Sequence, residues 1–309
     1  MRLKYKILWV ENDSDWAESI EEEIKELVEQ QYGFDYDRTF SNKQNDAILF
    51  NDYDLILMDL NLESEPTGDV LIKNIREREI YTDVIFYSAD GLQKIKQKAH
   101  DLDLEGVYFA SRDKDLFINK VNSVIKTTIH KVQDLNNLRG LVMAEVSELD
   151  VLMEQIILAY FNSPERMRTF HDHITANREE TWHKMLNSST QCDKQCVHIW
   201  REKDLSEYVS KLDSSQKARA INIVLADFDS AHTICTDTKF FKNYDDSIIL
   251  NRNNLAHCIS IKDKSGNEIL KTWKGEKIYN EDEFRIMRAN IIKYHNMFTT
   301  LLTTLTASA

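Results

Sequence analysis

Asp54-Leu55-Ile56-Leu57-Met58-Asp59-Leu60, DLILMDL, decides how the first half of this chain is read. Four consecutive apolar residues stand between two aspartates, with no polar partner alternating among them. A strand that is apolar on both faces belongs in the middle of a parallel sheet covered by helices on both sides. Its neighbours agree. Upstream lie a strand, YKILWVE (5–11), a helix with an acidic outer face, SDWAESIEEEIKELVEQQYG (14–33), a strand, FDYDRTF (34–40), and a short helix, NKQNDAILFN (42–51). Downstream come a helix, TGDVLIKNIRERE (67–79), a strand, DVIFYSA (83–89), a helix, GLQKIKQKAHDLD (91–103), and a fifth strand, GVYFAS (106–111). Strands and helices alternating at this spacing predict a doubly wound α/β domain with a five-stranded parallel sheet. Ligands of such sheets gather at the carboxyl ends of the strands. Glu11, Asn12, Asp13, Asp59, Ser88, Ser111 and Arg112 all fall there.

Composition bounds the rest. A chain of 309 residues has room for two domains, and 42% hydrophobic with 29% charged residues suits a folded protein rather than a disordered one. Two prolines and seven glycines leave long helices uninterrupted. No apolar run approaches the ~18–20 residues that span a bilayer, so a cytoplasmic protein without a membrane partner is expected. Four cysteines are too few for a disulfide framework in a chain this long. Cys192, Cys196 and His198 stand close together, yet a zinc site needs a fourth ligand and usually a tighter C-x2-C knuckle. Reduced thiols are the expectation. The formal net charge of −13 is unevenly spread: residues 1–130 carry 16 Lys and Arg against 27 Asp and Glu, and the remainder carries 23 against 25. Acidity repels nucleic acid, but it belongs to the first half. A local basic cleft in the second half stays open.

From residue 114 onward the pattern turns helical. Ile118, Val121, Ile125, Val132 and Leu135, then Val142, Val146, Leu149, Met153 and Ile156, recur at spacings of three and four, interrupted by Thr128 and Arg139. This stripe suits either a linking helix with a seam for a partner helix or a plain core helix. Further helices are expected at EETWHKML (179–186), KDLSEYVSKL (203–212) and SSQKARAINIVLADFDSAHTI (214–234). Turn signals at Ser265-Gly266-Asn267 and Lys274-Gly275-Glu276 predict a small β-hairpin. Asn280 with Glu283 has the capping-box spacing that opens a last long helix. The expected division is 1–127 for the α/β domain, 128–140 for a helical linker and 141–309 for an all-α bundle with the hairpin.

Residues 1–127 resemble the receiver domain of bacterial response regulators. ILWVEND matches the acidic loop, YDLILMDLNL the strand bearing the phospho-acceptor, PTGDVLI the following loop and helix, VIFYSA the switch strand and GVYFASRD the fifth strand. The resemblance implies Asp59 as phospho-acceptor, Ser88 and Arg112 as switch residues, and Glu11, Asn12 and Asp59 as ligands of Mg²⁺. It also implies a histidine kinase or another phosphodonor as partner. Two departures stand out. The acid that most directly holds the metal in the family is here the neutral Asn12, and the lysine after strand five becomes Ser111 or Arg112. Weak metal binding follows from the first. A receiver serving as a docking module without phosphorylation remains a reading of the same residues.

The second half holds Arg252-Asn253-Asn254-Leu255-Ala256-His257, RNNLAH. Arginine grips phosphate with a fork of donors and histidine exchanges protons near neutral pH. Metal-free RNA cleavage needs those two functions. The spacing matches the R-N-x-x-x-H motif of the HEPN superfamily of helical ribonucleases, over roughly residues 135–309, with the motif expected at the head of a late helix. The resemblance implies an endoribonuclease of a toxin, stress or phage-defence pathway that leaves a 2′,3′-cyclic phosphate. His257 serves as acid and base, Arg252 stabilises the transition state, and Asn253 positions the phosphate or His257. No cofactor is implied for cleavage. The implied partners are an RNA substrate, a second copy in a homodimer, and an antitoxin or defence-system protein. Five residues of regular helix would set Arg252 and His257 ~140° apart, so a cleft composed of two copies aims them better than one. Glu145 and Glu148, on the first helix of this half, read as solvated carboxylates beside that cleft. Against the catalytic reading stands an ordinary one, in which Asn251 caps a helix, Arg252 pairs with a carboxylate, His257 is a satisfied core histidine and both halves serve signalling and dimerisation. Sequence-specific DNA binding is not expected, because no helix-turn-helix pattern or basic recognition helix appears.

Overall fold

The computed structural model describes residues 3–42, 48–63, 65–132, 135–170, 174, 205–264, 266, 268–275 and 277–307. The chain divides into two compact units, Met1–Leu138 and Arg139–Ala309, and the division falls within the 128–140 segment expected to join them. The expected helix EETWHKML, half of the one at 42–51, and Cys192, Cys196 and His198 lie outside the described residues.

The first unit is built on strands β1 (Lys4–Val10), β2 (Asp35–Ser41), β3 (Leu55–Asp59), β4 (Asp83–Ser88) and β5 (Val107–Ser111). All pairs are parallel, in the order β2-β1-β3-β4-β5. That is one of the two common doubly wound orders, with its ligand crevice where the order reverses, between β1 and β3. DLILMDL runs as expected: every residue of β3 is buried. Helices α1 (Ser14–Glu26) and α4 (Lys114–Val132) cover one face, where Ala17, Ile20 and Ile24 meet Phe117, Val121, Val124 and Ile125 over Ile7, Trp9, Leu57 and Tyr87. The other face carries α2 (Gly68–Glu77) and α3 (Leu92–Asp101), which pack Leu71, Ile72, Ile75 and Ile95 on Leu8, Ile56, Met58 and Phe86.

The second unit takes α5 (Leu135–Tyr160) from Arg139 onward, then holds α6 (Pro164–Phe170), α7 (Leu205–Val209), α8 (Ser214–Asp227) and α9 (Ala231–Ile234). Next, α10 (Phe240–Tyr244) runs through a π-helical segment, Asp245–Ile249, into α11 (Leu250–Ala256). Strands β6 (Cys258–Lys262), β7 (Glu268–Thr272) and β8 (Ile278–Tyr279) follow, then α12 (Glu281–Ala307). Phe240, Tyr244, Tyr294 and Phe298 interlock, with Tyr244 and Tyr294 ring centroids 4.9 Å apart at 81°. Asp213 and Gln216 form a complete capping box on α8, and Asn280 accepts the Glu283 backbone N–H at 3.0 Å to open α12.

Two expectations need correction, and one open alternative is resolved. The two turn signals after His257 make a three-stranded antiparallel sheet instead of a hairpin. Each signal closes one turn, and two turns need three strands. The apolar stripe is core rather than an open seam. Val121 and Ile125 are buried in the first unit, and Val142, Val146, Leu149, Met153 and Ile156 are buried on α5. Glu145, expected in solvent, is buried, since it sits one residue before Val146 on the inward side. Glu148 is half-buried.

Candidate functional site

An acidic pocket forms where β1, β3, β4 and β5 end. Three elements of local chemistry set it up. Asp13 caps α1 by accepting the Trp16 N–H at 3.0 Å, which holds the chain after β1 in a fixed turn. The loop after β3 returns so closely that a Cβ on Gly68 would lie 2.0 Å from the Asp59 carbonyl oxygen, so only glycine fits. In register, Ser88 on β4 stands beside Ser111 on β5.

Within the pocket, Glu11, Asp59 and Ser88 are all buried. Glu11 accepts the Asp13 N–H at 2.9 Å on Oε1 and the Tyr87 hydroxyl at 2.9 Å on Oε2. Tyr87 in turn accepts the Trp9 indole N–H at 2.7 Å. Asp59 accepts the Asn61 N–H on Oδ2 at 2.9 Å, while its buried Oδ1 has no partner among the described residues. Burial and then repulsion from Glu11 push Asp59 up to about 7, opposed by the Asn61 N–H and the Arg112 charge. Burial also raises Glu11, against the Asp13 N–H and Arg112. Two carboxylates therefore share a space too dry for both to ionise freely.

Arg112 supplies the positive charge, by an unexpected route. Its guanidinium sits 2.9 Å from Asp13 and 3.6 Å from Glu11, and lies over the Trp16 ring at 4.3 Å. It clamps the loop after β1 and acts on Asp59 through space. Ser88 Oγ accepts from the Asp90 N–H at 3.1 Å, and the Asn61 side chain reaches Asp90 at 3.1 Å. Asn12 is exposed. Among the described residues, no group of three or more His, Cys, Asp or Glu is placed to hold a metal. The set here is two carboxylates and an amide. A divalent cation fits its chemistry, since the open Oδ1 and the paired charge both call for one, but with less ligand charge than three acids give. Sequence reading passed over Tyr87, Trp16 and Asn61. Tyr87 was legible as the one polar tip in the apolar run Val84–Tyr87 of β4.

The second-half motif lies at the end of a helix, not at its head. Arg252 and Asn253 are on α11, and His257 is its C-cap with φ −118° and ψ 20°. The reason is chemical: Asn251 is no cap but a buried anchor. Its Nδ2 donates to the Ser247 carbonyl at 2.8 Å, and its Oδ1 accepts from Lys277 at 2.7 Å and from the Tyr279 hydroxyl at 3.1 Å. These bonds tie α11 to the small sheet, and the chain leaves the helix at His257 to enter β6. Arg252 is half-buried, donates to Asn253 Oδ1 at 3.1 Å and leaves its buried Nε without a partner among the described residues. His257 and Asn253 are exposed. Among the described residues, no hydrogen bond or ion pair joins Arg252 to His257.

Arg252 has another neighbour that sequence reading missed. Its charge acts on Asp150 of α5, whose Oδ2 accepts from Ser214 at 2.7 Å and whose buried Oδ1 has no partner. Burial raises Asp150, against the Ser214 bond and the Lys217 and Arg252 charges. Lys217 pairs with Glu154 at 2.8 Å. Asp150 continues the buried Val142–Val146 line, and a carboxylate on such a line was the available signal.

No protein-family model matches the chain, and no curated protein does. Solved structures match its first part. The receiver domain of a Francisella response regulator is 23% identical, covering 40% of this chain and 98% of its own, with a TM-score of 0.29. The phosphorylated cyanobacterial phytochrome response regulator RcpA is 15% identical, covering 42% and 97%, with a TM-score of 0.34. The Mn²⁺-bound form of response regulator Rcp1 is 17% identical, covering 39% and 91%, with a TM-score of 0.30. The first part of this chain is similar to receiver domains, and its own strand order and parallel pairing are what define its fold.

Proposed function

We propose that this chain is a receiver-regulated, metal-independent endoribonuclease. In the first unit, Asp59 takes the phosphoryl group: a carboxylate oxygen attacks phosphorus, and the bond to the donor's leaving group breaks. The donor is a histidine kinase or a small phosphodonor. Glu11 and Asp59 would hold Mg²⁺, with Asn12 offering a neutral oxygen. When bound, the ion offsets the paired charge and screens the phosphoryl oxygens. Ser88 and Arg112 read the modified state, Ser88 as a hydroxyl donor and Arg112 through the loop it holds. Support comes from the unpartnered Oδ1 of Asp59 at the crevice of a doubly wound sheet.

In the second unit, His257 removes the ribose 2′-OH proton, and the 2′-oxygen attacks phosphorus. The 5′-oxygen then leaves with a proton from an imidazolium, giving a 2′,3′-cyclic phosphate. Arg252 meets the charge that develops on phosphorus, and Asn253, bonded to it, holds its fork in place. A second copy across a two-fold axis completes the cleft, since one chain leaves Arg252 and His257 unjoined. The observation that carries this reading is the exposed His257 capping a short helix that also carries Arg252, whose Nε has no partner among the described residues. One observation favours a second reading. Arg252 feels the Asp150 carboxylate inside the bundle, as a purely structural arginine of a non-catalytic signalling protein does. Expression of the wild type beside His257→Ala separates the two. Arrested growth with fragmented RNA in the wild type alone supports the nuclease, and identical growth with intact RNA in both supports the signalling protein.

A further inference from the structure

We infer that Trp273 is the base-stacking residue of the His257 site, and that single-stranded RNA lies across the outer face of the small sheet. This deepens the ribonuclease reading and rests on it. The placement comes from strand register. Cys258 pairs with Thr272 as the end rung of the antiparallel β6–β7 ladder, so His257, the cap residue just before it, and Trp273, the turn residue just after it, both adjoin that rung. Sheet parity adds the side. Cys258, Leu270 and Tyr279 are buried, so the alternate residues face outward. These form the row Ile259–Lys271–Ile278 across all three strands, with Ile261–Ile269 beside it. Ile259 and Ile278 are 46% and 47% exposed, and Trp273 is 81% exposed, the most open large hydrophobic side chain among the described residues.

Charge says what covers this face. The chain as a whole is at −13, yet residues 257–279 contain five lysines, Lys262, Lys264, Lys271, Lys274 and Lys277, against Asp263, Glu268 and Glu276. Lysines 271 and 274 flank Trp273, and the Lys271 side chain lies against Gly275 in the turn that carries the indole. An exposed aromatic between cations is what single-stranded nucleic acid needs: a face for the base and charge for the backbone. A base held on Trp273 would set the adjoining phosphodiester beside His257. A duplex keeps its bases stacked on each other and has none to offer.

The test uses the full chain carrying His257→Ala, so that RNA stays intact, and a fluorescein-labelled single-stranded ten-nucleotide RNA, with its duplex as control. Trp273→Ala is expected to weaken single-strand binding by roughly 5- to 100-fold, the range for removing one base–aromatic stack. Trp273→Phe keeps a ring and should retain most of it, and quenching of indole fluorescence on binding should vanish with Trp273. With native His257, Trp273→Ala should raise KM more than it lowers kcat. Equal affinity of Trp273→Ala and its parent, while the native chain still cleaves, overturns the stacking role and leaves the nuclease standing. If the native chain neither binds nor cleaves RNA, the ribonuclease reading falls first. If Trp273→Ala and Ile259→Asp instead dissociate a dimer with RNA binding unchanged, the face is a self-contact and the inference is wrong.

Discussion

The two units handle polar groups in opposite ways. In the first, Glu11, Asp59, Ser88 and Arg112 come from four separate strand ends and converge in one chain, each fixed by partners such as Tyr87, Asp13 and Asn61. In the second, Arg252 and His257 are five residues apart in sequence and share a helix end, yet they do not meet. A parallel sheet brings distant residues together because every strand ends at the same edge. A helix separates near neighbours, because each residue turns by ~100°. Sequence proximity is thus the weaker guide to a shared site. The first pocket draws its residues from one chain, whereas the cleft proposed for the second would be completed by substrate or a second copy.

The largest expected effect tests the second unit. If His257 is the acid and base, His257→Ala should lose about 10²–10⁴ in cleavage rate with folding unchanged. Arg252→Lys should also lose activity, because an ammonium cannot replace the guanidinium fork. Next comes the first unit's autonomy. Wild type should incorporate phosphate from a small phosphodonor slowly and with Mg²⁺, and Asp59→Asn should incorporate none. Equal labelling of the two would move the acceptor elsewhere.

A third expectation sharpens the contrast through pH. The folded value of Asp59, about 7, lies above that of an ordinary aspartate. Between about pH 4 and 7 the folded chain keeps a proton that the unfolded chain has lost, so stability falls as the pH rises through that window. In metal-free buffer at pH 8, Asp59→Asn should therefore unfold later than wild type, by on the order of 2–4 kcal/mol. The gain should shrink towards pH 4 in chemical denaturation, and added Mg²⁺ should offset it by stabilising wild type. A pH-independent difference would show that burial and the neighbouring Glu11 do not raise Asp59. The smallest effect concerns assembly: specific cleavage activity should fall on dilution through the dimer dissociation range, and activity unaffected by dilution would place the whole site in one chain.

The α/β half was legible because its signals are local and repeated. DLILMDL could only be a doubly buried strand, and each residue at a strand's end then fell into place. What sequence missed there was lateral: nothing in SDWAES told that Trp16 would support Arg112, since that contact joins residues far apart. In the second half, turn signals located both turns of the small sheet, but the helix end at His257 was hidden. Asn251 reads as a cap by residue type, whereas its partners Lys277 and Tyr279 lie beyond the sheet's second turn. Glu145 and Asp150 were misread or passed over for a related reason. A carboxylate on a helix reads as solvated until the packing around it is known.

The central claim is that the RNNLAH segment cleaves RNA without a metal. Its most direct test is the initial rate of cleavage of a single-stranded RNA by the purified full chain in EDTA, wild type and His257→Ala side by side, with the new ends identified. Wild type should cut and leave 2′,3′-cyclic phosphates, and the variant should be slower by at least about 10². Equal rates in the two proteins, or cleavage that stops when the metal is removed, would contradict it.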